Sequence, residues 1–336
     1  MPAHHYAALT PDVVLAAAEA AGVLPDGRLL SLNSYENRVY RIGLEEPLAR
    51  TAPDSIATQV VAKFYREGRW SDPQIQEEHA FALELAAAEL PVAAPLVIGG
   101  ATLLRHAGFR YTLFECRPGT GPDLDRAGDR QLLGRTLGRL HAQGARRPFR
   151  HRVSVADWRN GARARELILR RGLVPSPLDE RYAEVSGQLV DAIAACHAAV
   201  GATARIRLHG DCHPGNILWQ STGPLFVDFD DSLTGPAVQD LWMFAAGTPE
   251  QMRREWADLL DGYEQFAHLD EGEALLIEAL RATRMMNHAA WIAQRWDDPA
   301  FPLAFPWFGE PRYWERHIDE LREQLPALDD PPLMRA

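Results

Sequence analysis

Cysteine is scarce in this 336-residue chain: Cys116, Cys196 and Cys212 are an odd number with no Cys-x-x-Cys spacing. That argues against a disulfide framework and a zinc knuckle, and predicts reduced thiols. Basic residues are the minority, 35 against 46 acidic, and the formal charge of −11 opposes phosphate backbones and anionic lipid. No nucleic acid and no membrane is expected as a partner. A run of about eighteen apolar residues is missing, the apolar stretch near residues 13–21 is interrupted by Glu19, and the first residues lack the basic segment of a signal peptide. A cytoplasmic, monomeric protein is expected. Internal repeats and long low-complexity segments are absent as well. What is present is 46% hydrophobic content in a length that suits about two domains.

Thr10-Pro11-Asp12 reads as a helix start, with a capping hydroxyl, a proline in the first turn and an early acid, and Gly22 as a stop. Apolar residues from Leu29 to Leu32 and from Val39 to Leu44 flank the polar turn Asn33-Ser34-Tyr35-Glu36-Asn37, which predicts a hairpin. Residues 59–65, Gln-Val-Val-Ala-Lys-Phe-Tyr, read as a third strand carrying Lys63 among apolar neighbours. A lysine so placed wants a carboxylate or a phosphate. Ser71 or Asp72 caps a helix over 73–90, and strands follow near 102–105 and 109–116. Pro118-Gly119-Thr120-Gly121-Pro122 then breaks the pattern. Beyond it the expectation is mainly helical, over 129–143, 157–171, 179–200 and between 238 and 332, around a strand-rich island at 205–230. The fold class is therefore α+β: residues 1–115 form a β-rich small lobe with one helix packed on the sheet, and residues 116–336 a mainly α-helical large lobe.

The island carries the chemistry. Asp211 is followed five residues later by Asn216, just before an apolar strand, and Asp228 stands twelve residues after that at the end of the next strand. This is the spacing of a kinase catalytic loop, in which the first Asp accepts the proton of the acceptor hydroxyl and the Asn and second Asp hold metal. Phosphoryl transfer needs positioned Mg²⁺ and an oriented nucleophile rather than covalent help from protein, and these three side chains can supply both. His209 and His213 are read as supports that orient the loop. Lys63, followed by a helix bearing Glu77 and Glu78, suits the lysine that contacts ATP phosphates and pairs with a helix glutamate. Spacing does not choose between the two glutamates; Glu78 is preferred. Glu115 and Cys116 lie where the chain enters the interlobe hinge, with adenine expected on their backbone. No glycine occurs from Leu29 to Ile42, so a glycine-rich phosphate loop is missing, and Ser34 is the turn residue placed to approach phosphates. The glycine usually found two residues after the metal-binding Asp is Asp230 here.

Four strings, at 32–40 (Leu-Asn-Ser-Tyr-Glu-Asn-Arg-Val-Tyr), 60–66 (Val-Val-Ala-Lys-Phe-Tyr-Arg), 208–219 (Leu-His-Gly-Asp-Cys-His-Pro-Gly-Asn-Ile-Leu-Trp) and 235–242 (Gly-Pro-Ala-Val-Gln-Asp-Leu-Trp), resemble the bacterial stress response kinase A family. That family belongs to the aminoglycoside phosphotransferase and choline kinase-like superfamily, with a bilobal protein-kinase-like fold. The resemblance implies a Ser/Thr protein kinase acting in stress responses, with ATP as co-substrate, Mg²⁺ as cofactor and a protein Ser/Thr acceptor, autophosphorylation included. By the same likeness Asp211 is the proton acceptor, Asn216 and Asp228 are magnesium ligands, Lys63 and Ser34 contact ATP, and Asp240 is a structural acid beneath the catalytic loop.

Three other readings compete. A small-molecule hydroxyl kinase uses the same loop. A metal-dependent hydrolase would take His209, Asp211 and His213 as zinc ligands, and leaves Lys63, Asn216 and Asp228 without a task. A dead nucleotide-binding scaffold is disfavoured by the intact set of four. Two further expectations concern the surroundings: Lys63→Ala should leave the melting temperature of the nucleotide-free protein similar, and in the proline-broken aromatic tail from Trp291 to Trp314 most rings should be core packing while some line a groove beside the catalytic loop.

Overall fold

The computed structural model describes residues 5–49, 51–158 and 160–329. Thr10 accepts a hydrogen bond from the Val13 amide (3.4 Å) ahead of Pro11, and the helix this cap starts is α1 (Pro11–Ala20). Strands β1 (Pro25–Leu32) and β2 (Arg38–Leu44) pair antiparallel with Leu32 opposite Val39, so the connecting turn is residues 33–37. With β3 (Gln59–Phe64), β4 (Leu104–His106) and β5 (Phe109–Glu115) they make a five-stranded antiparallel sheet of order β1-β2-β3-β5-β4. Side chains alternate along β3. Val60, Ala62 and Phe64 join Ile42, Tyr111 and Leu113 against Val14, Ala17 and Ala18 of α1, and Lys63 faces the opposite way.

Helix α2 (Asp72–Ala87) starts at a capping box in which Gln74 accepts from the Ser71 amide at 2.9 Å. The helix packed on the sheet is α1. The fully buried Phe81 and Leu85 of α2 instead enter a core with Leu133, Leu137, Phe226 and Phe229 of the large lobe. Polar contacts hold α2 on both sides. Asp72 pairs with Arg105 and Arg110, and His79 lies 2.6 Å from Tyr65 Oη and 2.8 Å from Thr102 Oγ1. On the other side Glu77 accepts the backbone amides of Arg150, His151 and Arg152 at 2.5–2.8 Å, and Glu84 pairs with Arg147 and, at 2.8 Å, with the buried Arg207.

The large lobe contains α3 (Asp129–Gly144), α4 (Val155–Trp158), α5 (Gly161–Arg171), α6 (Leu178–Val200), α7 (Pro249–Tyr263), α8 (Ile277–Gln294), α9 (Ala300–Ala304) and α10 (Pro311–Ala327). The helix expected over 157–171 is thus two pieces, with Asn160 capping the second by accepting from Arg163 N at 3.2 Å. Helices α3 and α7 pack so closely that a Cβ on Gly134 would stand 2.0 Å from the Leu259 carbonyl oxygen. Between α6 and α7 run β6 (Ile206–Leu208), β7 (Ile217–Gln220), β8 (Gly223–Phe226) and β9 (Leu233–Gly235), with β6 paired to β9 and β7 to β8. The aromatic tail is mostly interior: Phe301, Phe308 and Trp314 are fully buried in a second core with α5, α6, α8 and α10. Trp291 and Phe305 reach instead to Tyr35 in the β1–β2 turn, with ring centroids 6.5 and 5.0 Å away. Among the described residues no helix is long and apolar enough to cross a membrane.

Candidate active site

Strand β6 delivers the chain to a loop shaped by one buried acid. Asp240, fully buried, accepts the amides of His209 (2.7 Å) and Gly210 (2.8 Å) and lies 3.3 Å from His141 Nε2. Gly210 has φ +85°, and a Cβ there would stand 2.1 Å from the Asp231 carbonyl oxygen, so only glycine lets the loop lie against the 229–231 turn. Asp211 follows at the cleft. Its Oδ1 is 2.6 Å from Arg284 Nη1 of α8 and its Oδ2 is 3.4 Å from His213 Nε2. His213 Nδ1 accepts the Gly215 amide (3.0 Å), which leaves its proton on Nε2, toward Asp211.

Asn216 Nδ2 donates to the Asp211 carbonyl (2.9 Å), and the Asn216 carbonyl accepts from Val227 N (3.0 Å). These two bonds set the amide side chain between the catalytic loop and the segment bearing Asp228, with Oδ1 directed away from Asp211. Asp228 has φ 59° and ψ 66°, a left-handed conformation that Asp tolerates better than most residues, and its side chain is half exposed.

Lys63 Nζ lies 2.8 Å from Asp228 Oδ1, 3.2 Å from Asp230 Oδ1 and 3.9 Å from Glu78 Oε1. Of the two helix glutamates, Glu78 faces the lysine while Glu77 is occupied with the 150–152 amides. Burial alone would strip Lys63 of its proton, but Asp228, Asp230 and Glu78 together hold its pKa well above the usual value. Burial pushes Glu78 up to about 7 despite Lys63, and Glu78 Oε2 has no hydrogen-bond partner. Asp230 is held below the usual carboxylate range: burial opposes its ionisation, and Lys63, Arg69 and Arg152 outweigh burial.

Asp230 is the residue that sequence reasoning passed over. It accepts from Arg69 Nη1 (2.6 Å) and Asn37 Nδ2 (3.1 Å) as well as meeting Lys63, so it ties the segment bearing Asp228 to the small lobe. The available signal was the acid at a position where kinases usually carry glycine. A second unused signal concerns Lys63: of 35 basic residues it is the one lysine, the other 34 being arginine. Arginine cannot replace a compact ammonium at a crowded carboxylate or phosphate cluster.

The remaining candidates are Ser34, Glu115 and Cys116. Ser34 is half-buried in the β1–β2 turn. The Glu115 carboxylate accepts from Ala52 N (3.1 Å) and Ser55 Oγ, and the Cys116 carbonyl accepts from Ile56 N (2.8 Å). The Glu115 side chain and the Cys116 carbonyl thus serve the 52–56 loop, and Glu115 lies three strand residues or about 10 Å along β5 from Thr112, the neighbour of Lys63. His209 donates Nε2–H to Val227 O (2.8 Å) and packs 4.5 Å from the Phe229 ring, and among the described residues no three His, Cys, Asp or Glu side chains are gathered to hold a metal ion.

A profile of the phosphotransferase enzyme family matches residues 28–276. The chain is 41% identical over 325 residues to "Serine/threonine protein kinase RdoA" of Salmonella typhimurium, covering 97% of this chain and 95% of that protein. The figures are the same for "Stress response kinase A" of Escherichia coli K12. Among solved structures, amicoumacin kinase hAmiN in complex with AMP-PNP, Ca²⁺ and Ami superposes with a TM-score of 0.71 at 19% identity, over 96% of this chain and 95% of that one, a likeness of fold.

Proposed function

The chain belongs to the phosphotransferase enzyme family and is an ATP-dependent kinase, and from that premise we propose that its acceptor is a serine or threonine hydroxyl on a protein, its own residues included. The observation that carries the reading is the convergence of Lys63, Asp228 and the Asp211–Asn216 loop on one cleft. The acceptor class is supported by 41% identity along nearly the whole chain to relatives named as protein kinases. A cytoplasmic setting, a role in stress response and a monomeric state go with that reading, as does a division into a nucleotide-binding lobe (1–115) and a catalytic lobe (116–336).

In this mechanism Asp211 takes the proton of the attacking hydroxyl, its carboxylate oriented by Arg284 and His213. Lys63 exchanges one carboxylate partner for the ATP phosphates. Asp228 engages Lys63 through Oδ1 alone, and it and Asn216 offer the hard oxygen donors that suit Mg²⁺, so the residues fit that ion. Bound Mg²⁺ would neutralise charge on the phosphates during transfer. Ser34 approaches the phosphates from the turn, and the adenine edge meets backbone N–H groups of 115–117, the Cys116 carbonyl being already bonded.

The test is incubation with labelled ATP and Mg²⁺, alone and with a general protein acceptor. Acid-stable, base-labile label on the enzyme or on the acceptor is expected. Label on neither, together with efficient turnover on a small alcohol, would replace the protein acceptor with a small molecule.

A further inference from the structure

A phosphate-facing turn without glycine has little freedom to mould itself to its ligand, and the structure shows what holds this one. Glu36, in the 33–37 turn of the small lobe, sends its carboxylate across the cleft. Trp291 Nε1 donates to Glu36 Oε2 (2.7 Å), Arg295 Nη2 pairs with the same oxygen (2.7 Å), and Arg66 Nε lies 3.2 Å from Oε1. Arg66 also donates to the Glu36 carbonyl (2.9 Å) and the Tyr35 carbonyl (3.1 Å), and pairs with Asp298 (3.1 Å) of the large lobe. Asn37 completes the frame: its Oδ1 accepts the Arg66 amide (3.1 Å) and its Nδ2 donates to Asp230 (3.1 Å). Trp291 lies seven residues after Arg284 on α8, two turns along the same face and about 10 Å away. One helix therefore touches Asp211 at one point and the nucleotide-side turn at another.

We infer that Glu36 is a positioning residue for the ATP phosphates, which fixes the Ser34 turn through Trp291 and Arg295 of the opposite lobe, in the role that glycine-loop flexibility fills elsewhere. The inference rests on the kinase reading and deepens it. Its sign differs from that of simple electrostatics. Removing a carboxylate from a cluster of Arg66, Arg69 and Arg295 would by charge alone strengthen phosphate binding, whereas loss of a positioning contact weakens it.

The test compares Mg²⁺-ATP and adenosine binding by calorimetry in wild type, Glu36→Gln, Trp291→Phe and the double variant. Both single variants should weaken Mg²⁺-ATP by about tenfold, the size of one charge-assisted hydrogen bond, with adenosine unchanged and the double variant no worse than the poorer single one. Tighter Mg²⁺-ATP binding in Glu36→Gln, unchanged affinity in Trp291→Phe, or equal losses for adenosine and Mg²⁺-ATP would each overturn the inference. Wild type that binds no Mg²⁺-ATP would instead overturn the kinase reading, and this inference with it.

Discussion

Replacing Lys63 by Met keeps the length of the side chain and removes the ammonium from a site where three carboxylates meet, at 2.8, 3.2 and 3.9 Å. Removing one member of a buried ion pair costs about 3–5 kcal/mol, because the partner charge stays buried. Two features reduce that figure here. Asp228 is half exposed and Asp230 keeps Arg69, so the stranded group is mainly Glu78. Glu78 can in turn take up a proton, which recovers ~1.4 kcal/mol for each unit its pKa lies above the pH. A net loss of about 2–4 kcal/mol follows, or a melting-temperature drop of roughly 3–6 °C for a chain of this size. The pH dependence gives the loss its signature. Glu78 has a folded pKa of about 7, above the ordinary 4.5, so its contribution to stability is complete below the ordinary value and fades as pH rises through 7. Lys63 limits that fading, so the deficit of Lys63→Met should widen from pH 6 to pH 8.5. Scanning calorimetry of the nucleotide-free protein measures it, and adding Glu78→Gln should recover much of the loss. A melting temperature within about 1 °C of wild type at both pH values would refute the reasoning and restore the expectation, drawn from sequence, that this lysine is thermally silent.

Asp211→Asn should lower phosphoryl transfer by roughly two to four orders of magnitude with Mg²⁺-ATP affinity nearly intact, and steady-state turnover close to wild type would remove the base assignment. Asp228→Asn, which tolerates the same left-handed backbone, should weaken Mg²⁺-ATP binding and abolish turnover; unchanged affinity by calorimetry would hand the ion to another residue. Asp240→Asn turns one acceptor oxygen into a donor facing the His209 and Gly210 amides, so a loss of about 2–4 kcal/mol in thermal stability is expected alongside reduced turnover, and denaturant titration unchanged from wild type would contradict it.

The sheet and the spacing that brings Asp211, Asn216 and Asp228 into one loop system beside Lys63 were legible because their information is local. Alternation marks β3, and Asp211, Asn216 and Asp228 fall within eighteen consecutive residues whose spacing is set by one hairpin, β7–β8. The rest is held by distant partners. Glu77 and Glu78 differ by one position, and what separates them is that the amides of residues 150–152 lie against Glu77. Asp230 sits among Asp228 and Asp231 in a string that reads as an acidic turn, and its weight appears only when Asn37 and Arg69 arrive from the small lobe. Which helix packs on the sheet was not legible either, because Val14, Ala17 and Ala18 of α1 meet Ile42, Val60 and Leu113 only once the strands have paired.

Helix α2 has a mechanical consequence. Its first turn is fastened to the sheet through Asp72, its middle to Tyr65 just past β3 and to Thr102 through His79, and its other side to the large lobe through Glu77 and Glu84. A rod anchored to both bodies is a strut and cannot serve as a lever. Swinging it outward to part Glu78 from Lys63 would break contacts on both sides at once, those of Glu77 with the 150–152 amides and of Glu84 with Arg207 among them.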